Sequence, residues 1–221
     1  MRLPSRQIWY RLFIGYAVIL TLIAVPLFYN QYLRAQYVNL LANWAAKVRR
    51  PKFALIGDSI TAGGGVWGWR LANDPIDAIN FGLNGNTLRQ IAGQGTKALE
   101  LHPRYLLIQG GINDFLQIDE PSRRGAGMEN IARDAARADA TIVLTLPLPT
   151  ADAKANSALF AIRDRLRHVF PAAICVDASR ALAPAGLLKP EYTVDGVHFT
   201  EAGYRIWARQ IRASIERNTR C

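Results

Sequence analysis

The chain has 221 residues, with 27 Lys or Arg against 17 Asp or Glu and a formal net charge of +10. Half of it is hydrophobic and a fifth is charged, which excludes a disordered chain and leaves room for one domain with a substantial core. The basic residues are spread along the chain (Arg123/Arg124, Arg133/Arg137, Arg163/Arg165/Arg167, Arg205/Arg209/Arg212) with no aromatic-interleaved basic run. Nucleic-acid binding is therefore not expected, and an anionic membrane surface is the better electrostatic partner.

The first element in chain order is an uncharged stretch over residues 12–29, LFIGYAVILTLIAVPLFY. As a helix it would be about 27 Å long, close to a bilayer core. Trp9, Tyr10, Tyr29 and Tyr32 flank it, Arg2, Arg6 and Arg11 precede it, and only Arg34 follows closely. The positive-inside rule then puts the N-terminus in the cytoplasm and the remainder outside. A cleaved signal peptide would have a shorter apolar region and a small-x-small site. Here bulky Tyr-Asn-Gln-Tyr-Leu-Arg follows, so residues 1–30 are expected to be an uncleaved single-pass anchor. Over 31–51, Tyr37, Leu40, Leu41, Trp44 and Val48 recur at helical spacing until Arg49-Arg50-Pro51. This predicts a helical stalk or docking helix that stops before the proline.

Residues 52–221 alternate between short apolar runs and amphipathic stretches. The runs are 53–56, 76–81, 105–108, 141–146 and 173–176. Continuous apolar runs suit strands buried on both faces. Between and after them, Leu88, Ile91, Ala92, Gly95 and Leu99, then Ala158, Leu159, Ile162, Leu166 and Val169, then Tyr204, Trp207, Ala208, Ile211 and Ile215 follow helical periodicity. Thr200 is placed to cap the last helix. The alternation predicts a three-layer α/β domain around a five-stranded parallel sheet. Cys175 sits in an apolar run and Cys221 is the last residue; buried free cysteine is common, so no structural disulfide is expected.

In an open α/β sheet, ligands bind beyond the carboxyl ends of the strands. Ser59, Gly85, Asn113, Asp195 and His198 all fall in loops at those ends. A serine hydroxyl needs a base to become a nucleophile. Of three histidines, His102 precedes Pro103 at a helix end and His168 lies in an arginine-rich helix, whereas His198 follows Asp195 by three residues. A carboxylate so placed can fix the ring tautomer and leave the other nitrogen for Ser59. The backbone N–H groups of Ser59 and Gly85 and the side chain of Asn113 are candidate donors to an oxyanion.

Gly57-Asp58-Ser59-Ile60-Thr61 resembles the first block of the SGNH (GDSL-like) hydrolases, with Ile60 for the commoner leucine. Residues 80–87 (NFGLNGNT) resemble the second, Gly110-Gly111-Ile112-Asn113-Asp114 the third, and Asp195-Gly196-Val197-His198 the fifth. The resemblance implies a flavodoxin-like α/β/α fold over residues 52–221 and acyl-ester hydrolysis. It implies no metal and no organic cofactor. In these terms Ser59, Asp195 and His198 are the triad, and Ser59, Gly85 and Asn113 the oxyanion hole. The G-x-S-x-G elbow is absent because Thr61 occupies the second glycine position. Gly63-Gly64-Gly65 lacks the Gly-Lys-Ser/Thr of a phosphate loop and reads as a mobile loop near the nucleophile. No long insertion offers a lid or acyl tunnel, which favours a small acyl group, such as acetyl on a carbohydrate or envelope glycan. A lysophospholipase or thioesterase, an O-acetyltransferase with the same triad, and a non-catalytic envelope-assembly protein remain alternatives.

Overall fold

The computed structural model describes residues 14–22, 30–63, 70–72 and 74–221. Five parallel strands form one sheet in the order β2-β1-β3-β4-β5. They are β1 (Phe53–Ile56), β2 (Ala78–Asn80), β3 (Tyr105–Ile108), β4 (Thr141–Thr145) and β5 (Ile174–Val176). The order reverses at β1, the position where doubly wound sheets open a crevice for ligands. Four strands match the apolar runs closely. β2 is shorter than the run 76–81, because Asp74 accepts a hydrogen bond from the Ile76 N–H and Pro75–Asp77 winds into a 3-10 turn.

Helices cover both faces, and alternate residues of each strand feed opposite cores. On one side Ile56, Leu106, Ile108 and Leu144 meet Leu88 and Ile91 of α3 (Leu88–Leu99), Ile131 of α5 (Glu129–Arg137), and Leu159 and Ile162 of α6 (Ala153–Val169). On the other, Phe53, Leu55, Leu107, Val143 and Val176 meet Ile60 of α2 (Ser59–Gly63), Leu182 of α7 (Ser179–Leu182), and Trp207 and Ile211 of α8 (Glu201–Arg217). Each fully buried Leu or Ile contributes about 1.5–3 kcal/mol, so the sheet is pinned from both sides. A short α4 (Ile112–Gln117) follows β3. Asp152 caps α6 by accepting from the Ala155 N–H, and Thr200 caps α8 by accepting from the Gly203 N–H.

Both sheet edges are covered. At the β2 edge lies α1 (Gln31–Ala45), which turns Ala42 and Ala45 inward. The Asn39 carboxamide closes on the backbone of Asn80, accepting from its N–H at 2.8 Å and donating to its carbonyl at 3.0 Å. Beyond α1, Arg49 pairs with Asp74 and Asp77. At the β5 edge the chain end returns antiparallel. The Cys175 N–H donates to Thr219 O at 2.7 Å, the Cys221 N–H donates to Ala173 O at 3.2 Å, and Ile174 bridges Arg220.

That return corrects the cysteine expectation. Cys175 and Cys221 form a disulfide with Cα atoms 4.9 Å apart. Forty-six residues separate them in sequence, but α8 carries the chain end back beside β5, a proximity that linear spacing does not reveal. Closing a loop of that length constrains the unfolded chain by about 4 kcal/mol. Cys221→Ser should therefore lower stability by about 2–4 kcal/mol, or the melting temperature by roughly 10 °C. Equal thermal midpoints with and without reductant would rule out this contribution.

The proposed span at 12–29 lies partly outside the described residues; within it, 14–22 are helical. Among the described residues no helix is long and apolar enough to cross a membrane. Gly64 and Gly65 of the glycine run also lie outside them.

Candidate active site

β1 is followed by Gly57-Asp58, and the chain turns at once into α2 with Ser59 as its first residue. That turn is fixed by packing. A Cβ on Gly57 would sit 2.1 Å from Thr61 Oγ1 and 2.9 Å from Gln109 Oε1, so only glycine fits. The Gln94 carboxamide, buried on α3, holds both polar atoms of Gly57: Oε1 accepts from its N–H at 2.8 Å and Nε2 donates to its carbonyl at 2.9 Å. Asp58 Oδ1 accepts from the Ile60 N–H, while Gln109 Nε2 donates to Asp58 Oδ2 and Thr61 Oγ1 donates to Gln109 Oε1. As the first helical residue, Ser59 has an N–H ahead of the intrahelical ladder.

His198 reaches Ser59 from the other end of the chain. Its Nε2 lies 2.8 Å from Ser59 Oγ, and its Nδ1 lies 2.6 Å from Asp195 Oδ2. Asp195 Oδ1 also accepts from the N–H groups of Val197 and His198. Burial opposes the charge on Asp195. The hydrogen bond from the His198 ring and the two backbone N–H groups outweigh it and hold the carboxyl down to about 2. An ionised carboxylate only accepts, so Nδ1 carries a ring proton, and a ring with no second proton turns its Nε2 lone pair to the serine hydroxyl. The loop is itself braced. Thr193 Oγ1 donates to His198 O, and Thr193 pairs with Phe199. Phe199 stacks edge-on against Tyr204 and Trp207, and Tyr204 OH donates to Ile60 O at 2.9 Å. α8 thus holds both the histidine loop and the serine helix.

Gly85 and Asn113 form a second group. Gly85 has φ of +77° with nothing within 4 Å of where a Cβ would stand, a left-handed backbone that favours glycine. Asn113, buried on α4, donates to Asn86 O at 3.1 Å, and Gln117 donates to Gly85 O at 2.7 Å. Asp114, also buried, accepts from the N–H groups of Leu88 and Gly125. Burial raises its pKa against those bonds. His102 and His168 take no part: His102 is an exposed left-handed residue after α3, and His168 Nδ1 meets Asp164 O.

The supporting roles of Gln94, Gln109, Asp114 and Tyr204 emerge only with the fold. Two signals were available. Gln109 is polar at the end of an apolar strand, and Asp114 directly follows Asn113. Gln94 and Tyr204 lie on periodic helix faces and look like ordinary core positions.

The residues over 55–206 match the model of the GDSL-like lipase/acylhydrolase family. The chain belongs to this family. As a GDSL-like acylhydrolase it is an ester-bond hydrolase. Solved structures with the same fold include a GDSL-like lipase from Bacteroides thetaiotaomicron (22% identity, TM-score 0.65, 82% of this chain and 98% of that one). Another is a lipase/acylhydrolase from Enterococcus faecalis (21%, 0.60, 76% and 96%). A third is a catalytic mutant of an acetylxylan esterase from Geobacillus stearothermophilus (18%, 0.55, 75% and 94%). No curated protein sequence matches the chain.

In this acylhydrolase Asp58 carries a pH signature. Burial pushes its carboxyl up to about 6, against the lowering effect of the Ile60 N–H and the Gln109 amide. The unfolded chain releases this proton near 3.8. Between those values the folded state binds more protons, so the contribution is full at low pH and is lost as pH rises through about 6. Ionising it costs the fold on the order of 3 kcal/mol. Asp58→Asn keeps the shape, so its unfolding free energy should rise relative to the wild type as pH goes from about 4 to about 7. Urea titrations of both proteins across that range would show it, and parallel curves would refute it.

Proposed function

We propose that the protein is a serine esterase that removes short acyl groups, acetyl above all, from carbohydrate or envelope glycan on the outer side of the cytoplasmic membrane. The observation that carries the catalytic assignment is the continuous line Ser59 Oγ–His198 Nε2 and His198 Nδ1–Asp195 Oδ2, at 2.8 and 2.6 Å. In this mechanism Ser59 Oγ attacks the ester carbonyl as its proton passes to His198 Nε2. The Ser59 and Gly85 N–H groups and the second amide hydrogen of Asn113 stabilise the oxyanion. His198 protonates the departing alcohol, then takes a proton from the water that attacks the acyl-serine and returns it to Ser59 Oγ as the acid leaves.

Several features support the substrate class. A cleft of about 970 Å³ runs beside the 80–86 loop, between α1 and α3, bordered by Ala62 and Gly63 of the serine helix while Ser59, Gly85, Asn113, Asp195 and His198 lie outside its lining. Gln36, Asn84, Gln90 and Lys97 line it, and these are donors and acceptors suited to hydroxyl-rich ligands. The structural neighbour that acts on acetylated xylan agrees with this chemistry. The location is supported by the Arg-flanked apolar segment at 12–29 and by the disulfide, since such bonds persist in oxidising compartments.

The test is a chain-length series of p-nitrophenyl esters, extended to acetylated glycans, with the full chain. Turnover should be highest for acetyl. A rise with acyl length would instead favour lipid-like esters. Exposed Leu83 and Val194, beside Gly85 and Asp195, would suit such chains. No turnover of any ester and no labelling of Ser59 by a fluorophosphonate would mean a binding protein. Asn113→Ala should lower kcat by about 10²–10³-fold if its amide serves the oxyanion; unchanged kcat would remove Asn113 from that role.

A further inference from the structure

α1 carries its large apolar residues on the wrong side for a helix of a soluble domain. Its inner face is built from Ala42, Ala45 and the Asn39 clasp on Asn80. Leu33, Tyr37, Leu40, Leu41 and Trp44 are all exposed, Leu40 and Trp44 by two thirds, and Val48 in the following turn is 81% exposed. At 3.6 residues per turn the stripe occupies an arc of roughly 100° opposite the buried face. Nothing among the described residues covers it.

We infer that this stripe seats the catalytic domain on the bilayer surface, with α1 lying in the interface plane. Three observations select lipid as the occupant. The stripe starts four residues after the uncharged segment 12–29, which rests on reading that segment as the anchor; the chain would thus leave the membrane where the stripe begins. Tyr and Trp, the interfacial side chains, lie within it. Beyond the anchor, whose flank holds Arg2, Arg6 and Arg11, the remaining 24 Lys or Arg exceed the 17 Asp or Glu, a surplus that complements anionic headgroups. An upright α1 would lift Trp44 well clear of the headgroups, whereas a flat one immerses the whole stripe by about 5–10 Å. Because Asn39 locks α1 to β2, and Asn80 Nδ2 donates to Thr61 O on α2, the orientation of this helix sets that of the serine.

The test uses the full chain in phosphatidylcholine–phosphatidylglycerol vesicles. Leu40→Cys or Val48→Cys is labelled with nitrobenzoxadiazole while Cys175–Cys221 stays oxidised, and Lys154→Cys on α6 is the reference. Docking predicts blue-shifted emission from positions 40 and 48, quenched by lipid with a doxyl group near the headgroup, and aqueous emission from 154. Tyr37→Glu with Trp44→Glu should return the position-40 probe to aqueous emission while the protein still floats with the vesicles. Identical behaviour at 40 and 154 overturns the proposal. A blue shift without lipid quenching overturns it in favour of a second copy of the chain. Failure to float overturns the anchor and the docking together. None of these outcomes depends on ester turnover.

Discussion

Ser59→Ala leaves the fold unchanged and lowers ester turnover by on the order of 10⁴-fold or more. The substitution removes one atom, Oγ, whose hydrogen-bond partner is His198 Nε2. The turn that presents it is held by Gly57, Gln94 and Gln109, not by the hydroxyl. The backbone N–H donors also survive. The loss therefore falls on kcat, while binding of substrate and thermal stability persist. Steady-state kinetics beside a melting curve separate the two effects. Full turnover in an intact Ser59→Ala protein would end the nucleophile assignment.

Asp195→Asn should cost about 10³–10⁴-fold in kcat with little change in KM. The reason is tautomeric. Asn keeps Oδ1, so the N–H groups of Val197 and His198 retain their acceptor. At the other position an N–H₂ donor would face His198 Nδ1 where Oδ2 now accepts. The ring must then carry its proton on Nε2, where it points at Ser59 and cannot act as a base. The carboxyl of Asp195 is held down to about 2, so it is a carboxylate throughout the range in which the enzyme would work. The half-exposed side chain tempers the electrostatic share but leaves the tautomer unaltered. A variant retaining more than a tenth of wild-type kcat would show that Asp195 only braces the loop.

The layers of this fold were legible because the strand runs are apolar without alternation and the helices are periodic. Residues 53–56 and 105–108 coincide with β1 and β3. Where local side-chain chemistry competes, legibility falls: Asp74 and Pro75 take the first part of the 76–81 run into a 3-10 turn. The juxtaposition of Ser59, His198 and Asp195 was legible for another reason. Ser59, Gly85 and Asn113 follow β1, β2 and β3 closely, while Asp195 and His198 lie on a longer loop before α8 that meets Ser59. What sequence could not give is the set of long-range supports. Gln94 to Gly57, Tyr204 to Ile60 and Cys175 to Cys221 join positions 37, 144 and 46 residues apart. No spacing rule predicts them, since only the folded topology makes those positions neighbours.

The treatment of the sheet's two margins has a consequence for how the protein is made. A parallel sheet exposes unpaired N–H and C=O groups at each outer strand, which can template pairing with another chain. Here one margin is closed by a carboxamide from a helix, and the other by three terminal residues held with a disulfide. The second closure is reinforced by oxidation. In a reducing compartment the last residues lose their covalent tether and only backbone hydrogen bonds hold them beside β5, so this margin is least protected against pairing with another chain before the bond forms.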